Sequence, residues 1–96
     1  MVDIVIYTNP KILEEKQGFN EDYDEFCWSL SRFPLKLEKG DRIYFAVQGF
    51  VLGFFVIHNI DENDVEFFCH SWRYLKKFIP TKPFRGFRYK WWKKRK

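Results

Sequence analysis

Apolar and polar positions in this chain recur mainly at a period of two. The longest apolar stretch runs from Gly40 to Ile57, GDRIYFAVQGFVLGFFVI. Gly40-Asp41 marks a turn before it, and Gln48-Gly49 interrupts it near the middle. The two flanking runs, Ile43 to Val47 and Phe50 to Ile57, are rich in β-branched and aromatic residues, which suit a pleated packed surface. The pattern predicts a β-hairpin, with Gly49 supplying the positive φ in its turn. A single helix is the alternative, but Gly40, Gly49 and Gly53 would each weaken it by about 1 kcal/mol relative to Ala. Ile43, Phe45 and Val47 share one face; Tyr44 and Ala46 share the other. In the return strand Val51, Gly53, Phe55 and Ile57 oppose Leu52, Phe54 and Val56. Both faces are apolar, so the ribbon should be covered on both sides. Gly53 marks a bend or the close approach of another backbone.

The same reading extends along the chain. Val2 to Tyr7 alternates as a first strand. Asn9-Pro10 reads as an N-cap followed by proline at the first helical position, opening a short helix over Lys11 to Gln17 that ends at Gly18. Ile12 and Leu13 would be its buried contacts. Asn20 to Leu30 fits helical spacing through Phe19, Tyr23, Phe26, Cys27 and Leu30, and Phe26 to Phe33 fits a strand equally well. The reading taken is an acidic loop followed by a strand that Pro34 ends. His58 to Asp64 is expected to be a polar loop and Val65 to Trp72 a strand. Trp72 to Phe78 is expected to make a helical turn. Ile79 to Pro83 would be an extended connector stiffened by its prolines, and Phe84 to Trp92 a last strand. There, Arg85, Phe87, Tyr89 and Trp91 would oppose Phe84, Gly86, Arg88, Lys90 and Trp92, sending the neighbouring indoles to opposite faces.

Ninety-six residues make one domain, read as 1–92 with a basic tail over 93–96. Its 12 Phe, 5 Tyr and 4 Trp are more than one small core hides, so some rings belong on the surface. Two cysteines, Cys27 and Cys69, make no disulfide framework. No signal peptide opens the chain and no apolar run is long enough to cross a bilayer. The expectation is a soluble cytoplasmic protein with reduced thiols.

Charge is distributed unevenly. Residues 1–66 hold all 13 acidic residues and six Lys and Arg, a balance of −7. The last 30 residues hold 11 Lys and Arg and no acid, a balance of +11. Such asymmetry suits a surface that meets a polyanion. A solvated tail without a partner is the plain alternative.

An opening strand, a short helix, a strand bearing Trp28-Ser29-Leu30-Ser31-Arg32, the segment Lys39-Gly40-Asp41-Arg42-Ile43-Tyr44-Phe45 and the strand ending Val51 to Ile57 together resemble the PUA-like superfamily. The likeness is greatest to its ASCH and EVE members. There a Gly-Asp turn leads into a barrel strand, and the next strand carries a hydrophobic-x-Gly segment. The similarity covers the organisation of residues 2–57. It implies a mainly β, α+β fold: a small PUA-like antiparallel β-barrel with one or two short helices. It also implies RNA or modified nucleobases as ligands, bound in a cleft between barrel and helix. Some ASCH proteins are small amidohydrolases acting on acylated cytidine through a lysine, a threonine and a glutamate. Here the corresponding region reads Thr8-Asn9-Pro10-Lys11 in a different order, and no catalytic residue is carried over.

Two groups of residues carry candidate chemistry. Arg73, Lys76, Lys77, Lys82, Arg85, Arg88 and Lys90 interleave with Trp72, Tyr74, Phe84, Phe87, Tyr89, Trp91 and Trp92. Cations neutralise phosphates, and exposed rings stack on unpaired bases at about 1–3 kcal/mol each. Among the rings, Trp92 is the candidate for nucleic-acid contact. The alternative is core aromatics with solvated charges. The second group, Trp28, Ser29 and Arg32, borders the ligand cleft by resemblance; otherwise it is a core indole beside a surface guanidinium.

Cys27, His58, Cys69 and His70 lack the spacing of a zinc site, and no cofactor is expected. Glu66 and His70, on one face of a strand, would stand about 13 Å apart, too far for a catalytic pair. Glu21, Asp22, Asp24 and Glu25 read as a solvated face, or as a cover for the basic end. The expected function is non-catalytic binding of RNA, with DNA a further partner and no membrane. An ASCH-type amidohydrolase and a protein-docking domain are the alternatives.

Overall fold

The computed structural model describes residues 2–16, 25–30 and 36–92. Its elements are β1 (Ile4–Tyr7), α1 (Pro10–Lys16), β2 (Glu25–Ser29), β3 (Arg42–Val47), β4 (Phe50–Asp61), β5 (Asp64–Phe68), a 3-10 turn (Cys69–Ser71), β6 (Arg73–Pro80) and β7 (Phe87–Tyr89). The fold is mostly β: a sheet curled into a half-barrel with one short α-helix among the described residues. Strand order is β2-β5-β4-β3-β1-β7, and β6 pairs with the first half of β4. Pairing is antiparallel except between β1 and β3, which run parallel. That exception to an antiparallel barrel arises because α1 and β2 intervene, giving the chain the length a parallel crossover needs.

The central hairpin forms as its composition predicts. Gln48 and Gly49 both take positive φ, 50° and 93°, the backbone of a two-residue turn whose twist matches its strands. Ile43, Phe45 and Val47 enter the larger core, whereas Tyr44 and Ala46 enter a smaller one on the opposite face. The return strand departs from simple alternation. Phe45 lies opposite Gly53 and Ala46 opposite Val51, so Leu52 is an extra residue, a β-bulge. Val51 therefore packs with Tyr44 and Ala46 instead of sharing the face of Phe55 and Ile57. Gly53 has no room for a side chain: a Cβ there would lie 2.8 Å from Trp72 Cζ2 and closer still to the Arg73 carbonyl oxygen.

The helix starts at its expected cap. Ile12 N–H donates to Asn9 Oδ1 at 2.9 Å, and Leu13 is buried against the larger core. That core centres on Phe45, Phe55 and Phe67, with the rings of Phe55 and Phe67 stacked at 4.4 Å between centroids. Each buried phenyl contributes roughly 1.5–3 kcal/mol through area removed from water. Asp41, buried beside the Gly40 turn, accepts the Glu38 N–H at Oδ2 over 2.9 Å.

Several expected boundaries move. β1 begins at Ile4 and β2 at Glu25, while the continuation of β2 expected through Phe33, with Pro34, lies outside the described residues, as do Gly18 and the tail 93–96. His58 to Asp61 is strand, not loop, because β5 pairs with it through Asp61–Asp64 and Asn59 Nδ2 donates to Glu66 Oε1 at 3.1 Å. The strand expected over Val65 to Trp72 ends at Phe68 and gives way to the 3-10 turn, which takes His70 off the strand that holds Glu66. Trp72 to Phe78 makes no helical turn: Arg73 onward is β6, and Ile79-Pro80 is its end, not a connector. Pairing with β4 overrides the local preference there. Only Phe87–Tyr89 of the expected last strand is strand.

Candidate nucleic-acid interface

Because the sheet curls, β2 and β7, at the two ends of the strand order, approach one another without pairing. The seam between them is a cleft of about 660 Å³. β1 lends it Ile6 and Tyr7; β2 and its exit lend Trp28, Ser29 and Leu30; Phe84, Arg85, Gly86 and Phe87 form the opposite wall. Trp28 and Ser29, expected in a ligand cleft, thus meet Arg85, expected at a phosphate-binding surface. Arg32 lies outside the described residues.

Each wall is held in place. Trp28 is half-buried and packs edge-on against Phe45 at 5.2 Å. Ser29 Oγ donates to Asp64 Oδ1 at 2.6 Å, which turns its lone pairs elsewhere as acceptors. Tyr7 is anchored by its hydroxyl, which accepts the Gly49 N–H at 2.7 Å, and its ring meets Phe84 edge-on at 5.6 Å. Arg85 is exposed at the rim. Among the described residues, no carboxylate or lysine lines the cleft.

The basic residues divide between two edges of the sheet. Arg73, Lys76 and Lys77 lie on β6, and β6 bulges away from β4 between Tyr74 and Ile79. Arg73 Nη1 is committed to the carbonyls of His70 and Trp72 at 3.2 and 2.8 Å. Lys82, Arg85, Arg88 and Lys90 lie along the other edge, in and around β7. There Arg88 lies opposite Val5, on the face of the smaller core. Its guanidinium sits 5.2 Å from the Trp91 ring and 5.6 Å from the Phe84 ring. The Lys90 ammonium sits 5.5 Å from Trp92 and 5.7 Å from Tyr44.

The tryptophan pair departs from the expectation. β7 ends at Tyr89, so strand alternation no longer applies, and Trp91 and Trp92 meet edge-on at 5.1 Å instead of diverging. Trp92, the expected stacking platform, is half-buried against Tyr44 and covers the smaller core. Trp91 is the exposed indole, at 40%. Sequence reasoning counted Phe84 and Trp91 among the interleaved rings but left Tyr7 out of the site; no local signal places a β1 tyrosine in a wall with residues near 85.

Glu21, Asp22 and Asp24, read as a solvated face or a cover, lie outside the described residues. Among the described residues, no cluster of three or more His, Cys, Asp or Glu suits a metal ion, and no helix is long and apolar enough to cross a membrane. Comparison with protein-family models, curated proteins and solved structures finds no match for this chain.

Proposed function

We propose that this protein is a PUA-like barrel that binds single-stranded RNA, or a modified base within it, without catalysing a reaction on it. The observation that carries this reading is the seam cleft. It joins an indole, an oriented hydroxyl and a guanidinium in a concavity sized for a small organic ligand. An unpaired base offers a flat face to Trp28 and polar edges to Ser29, and the adjoining backbone brings phosphate to Arg85. Arg88, Lys82 and Lys90 extend the positive strip along the same edge. Duplexes suit this arrangement less well, because their bases are stacked and paired inside. Cytoplasmic RNA is the partner this reading favours, and DNA single strands share the chemistry.

The alternatives find less support. Amide hydrolysis of the ASCH kind uses a lysine and a glutamate, and the described walls of the cleft carry neither lysine nor carboxylate. A docking surface would use the exposed Tyr74 and Phe78, but Lys76 and Lys77 stand between them in the chain.

The test is titration with single- and double-stranded RNA and DNA at two salt concentrations. Single strands should bind best, and log affinity should fall with log salt by about 0.7 for each phosphate neutralised. Arg85→Ala should weaken binding about tenfold, the loss of one charge-assisted contact, without unfolding the protein. Salt-independent binding, or an affinity that Arg85→Ala leaves untouched, would count against the reading.

A further inference from the structure

A second concavity, about 280 Å³, opens beside the seam and is walled by Pro80, Thr81, Lys82, Arg88 and Trp91. Two cations converge on it, and no carboxylate lines it. Among the described residues, neither Lys82 nor Arg88 forms an ion pair. Like charges drawn together without an acid between them are a standing attraction for an anion.

The depression is also held in shape before any ligand arrives. Thr81 N–H donates to the Gly49 carbonyl at 2.9 Å, tying the end of β6 to the central hairpin turn. Thr81 Oγ1 donates to the Lys82 carbonyl at 3.0 Å. Arg88 is fixed on β7 by pairing with β1, and its guanidinium packs on the rings of Phe84 and Trp91. Ring contacts leave the N–H edge of a guanidinium open to oxygen acceptors, while limiting the freedom lost on binding. Phe84 walls the seam cleft, and the Arg88 guanidinium that walls the depression lies 5.6 Å from its ring centroid, so these two side chains link the concavities.

Given the base-binding reading above, we propose that Lys82 and Arg88 form a phosphate subsite and that one nucleotide spans the two concavities. Its base occupies the seam and its phosphate the Lys82–Arg88 depression. The guanidinium fork takes two phosphate oxygens, and the ammonium supplies a point charge to a third. The exposed Trp91 ring is then available to stack on the neighbouring base of a strand. A single phosphorylated nucleotide is thus the minimal ligand, and longer strands add contacts to it.

Calorimetric titration of the full chain tests this with four ribonucleosides, their monophosphates and inorganic phosphate as probes, on the native protein, Lys82→Ala and Arg88→Gln. At least one monophosphate should bind about tenfold tighter than its nucleoside, the worth of a charge-assisted phosphate contact. The ratio should fall towards one in both variants while nucleoside affinity holds. Lys82→Ala removes an exposed side chain, so it separates loss of the subsite from any loosening caused by losing Arg88 from its two rings. Equal affinity for nucleoside and monophosphate in the native protein overturns the subsite, as does a ratio that Lys82→Ala leaves unchanged. If RNA strands bind with a salt dependence that Lys82→Ala does not alter, the subsite fails and RNA binding stands. If inorganic phosphate binds and is lost in Lys82→Ala, but no nucleoside or RNA binds, the anion subsite stands and the RNA reading fails.

Discussion

The phenol of Tyr7 and the backbone of Gly49 are joined by a 2.7 Å hydrogen bond across 42 residues of sequence. It fastens the turn of the central hairpin to a wall of the seam cleft. The same turn accepts the Thr81 N–H at the Gly49 carbonyl, so cleft and phosphate depression hang from one point of the scaffold. Tyr7→Phe keeps the ring and removes the acceptor. The expected cost is about 1 kcal/mol in urea unfolding, with nucleic-acid affinity nearly unchanged because the ring still faces Phe84.

Gly53→Ala should be far more damaging than its single methyl suggests. The new Cβ would meet the Arg73 carbonyl oxygen and lie 2.8 Å from Trp72. A carbonyl in a paired strand cannot rotate away, so β6 must shift from β4. A loss of about 1–3 kcal/mol is expected from such overpacking, with faster amide exchange in Arg73–Pro80 than in β3. Native stability and unchanged exchange would show that β6 yields easily.

Asp41→Ala should destabilise by about 1–3 kcal/mol, since it leaves the Glu38 N–H without the acceptor that closes this turn. Asp41→Asn keeps an oxygen at that position and should recover most of the loss. Thermal denaturation of the two variants side by side checks the difference.

Trp91 and Trp92 should separate by phenotype. Trp91 is exposed beside Arg88, and Trp92 packs on Tyr44. Trp91→Ala should weaken single-stranded RNA binding by about 1–3 kcal/mol, the value of one stacked base, and leave the melting temperature within a few degrees. Trp92→Ala should lower the melting temperature and change affinity less. The opposite assignment would remove Trp91 from the interface.

Alternation and turn chemistry alone settle the hairpin, the N-cap at Asn9 and the two-sided burial of β3, because these depend on neighbours two to four residues apart. The same local rules carry less far where pairing decides the conformation. Arg73 to Phe78 has no clean alternation and becomes strand because β4 offers it an edge; His58 to Asp61 is polar yet strand because β5 returns along it. Leu52 shows the sharpest limit: one bulged residue moves Val51 to the other core, and although Gly53 marks a bend there, the run of apolar residues does not say which residue is the extra one.

What faces Trp28 and Ser29 across the cleft belongs wholly to tertiary structure. Composition alone establishes that the last third is basic and rich in rings, and that rings must exceed what one core hides. It does not establish which rings are surplus. Curling of the sheet brings β2 against the residues before β7, more than fifty positions later in the chain, and packing on Tyr44 leaves Trp92 half-buried while Trp91 stays exposed. Short-range pattern encodes which way a side chain points within its own strand; which other strand it then faces depends on the summed twist and closure of the whole sheet.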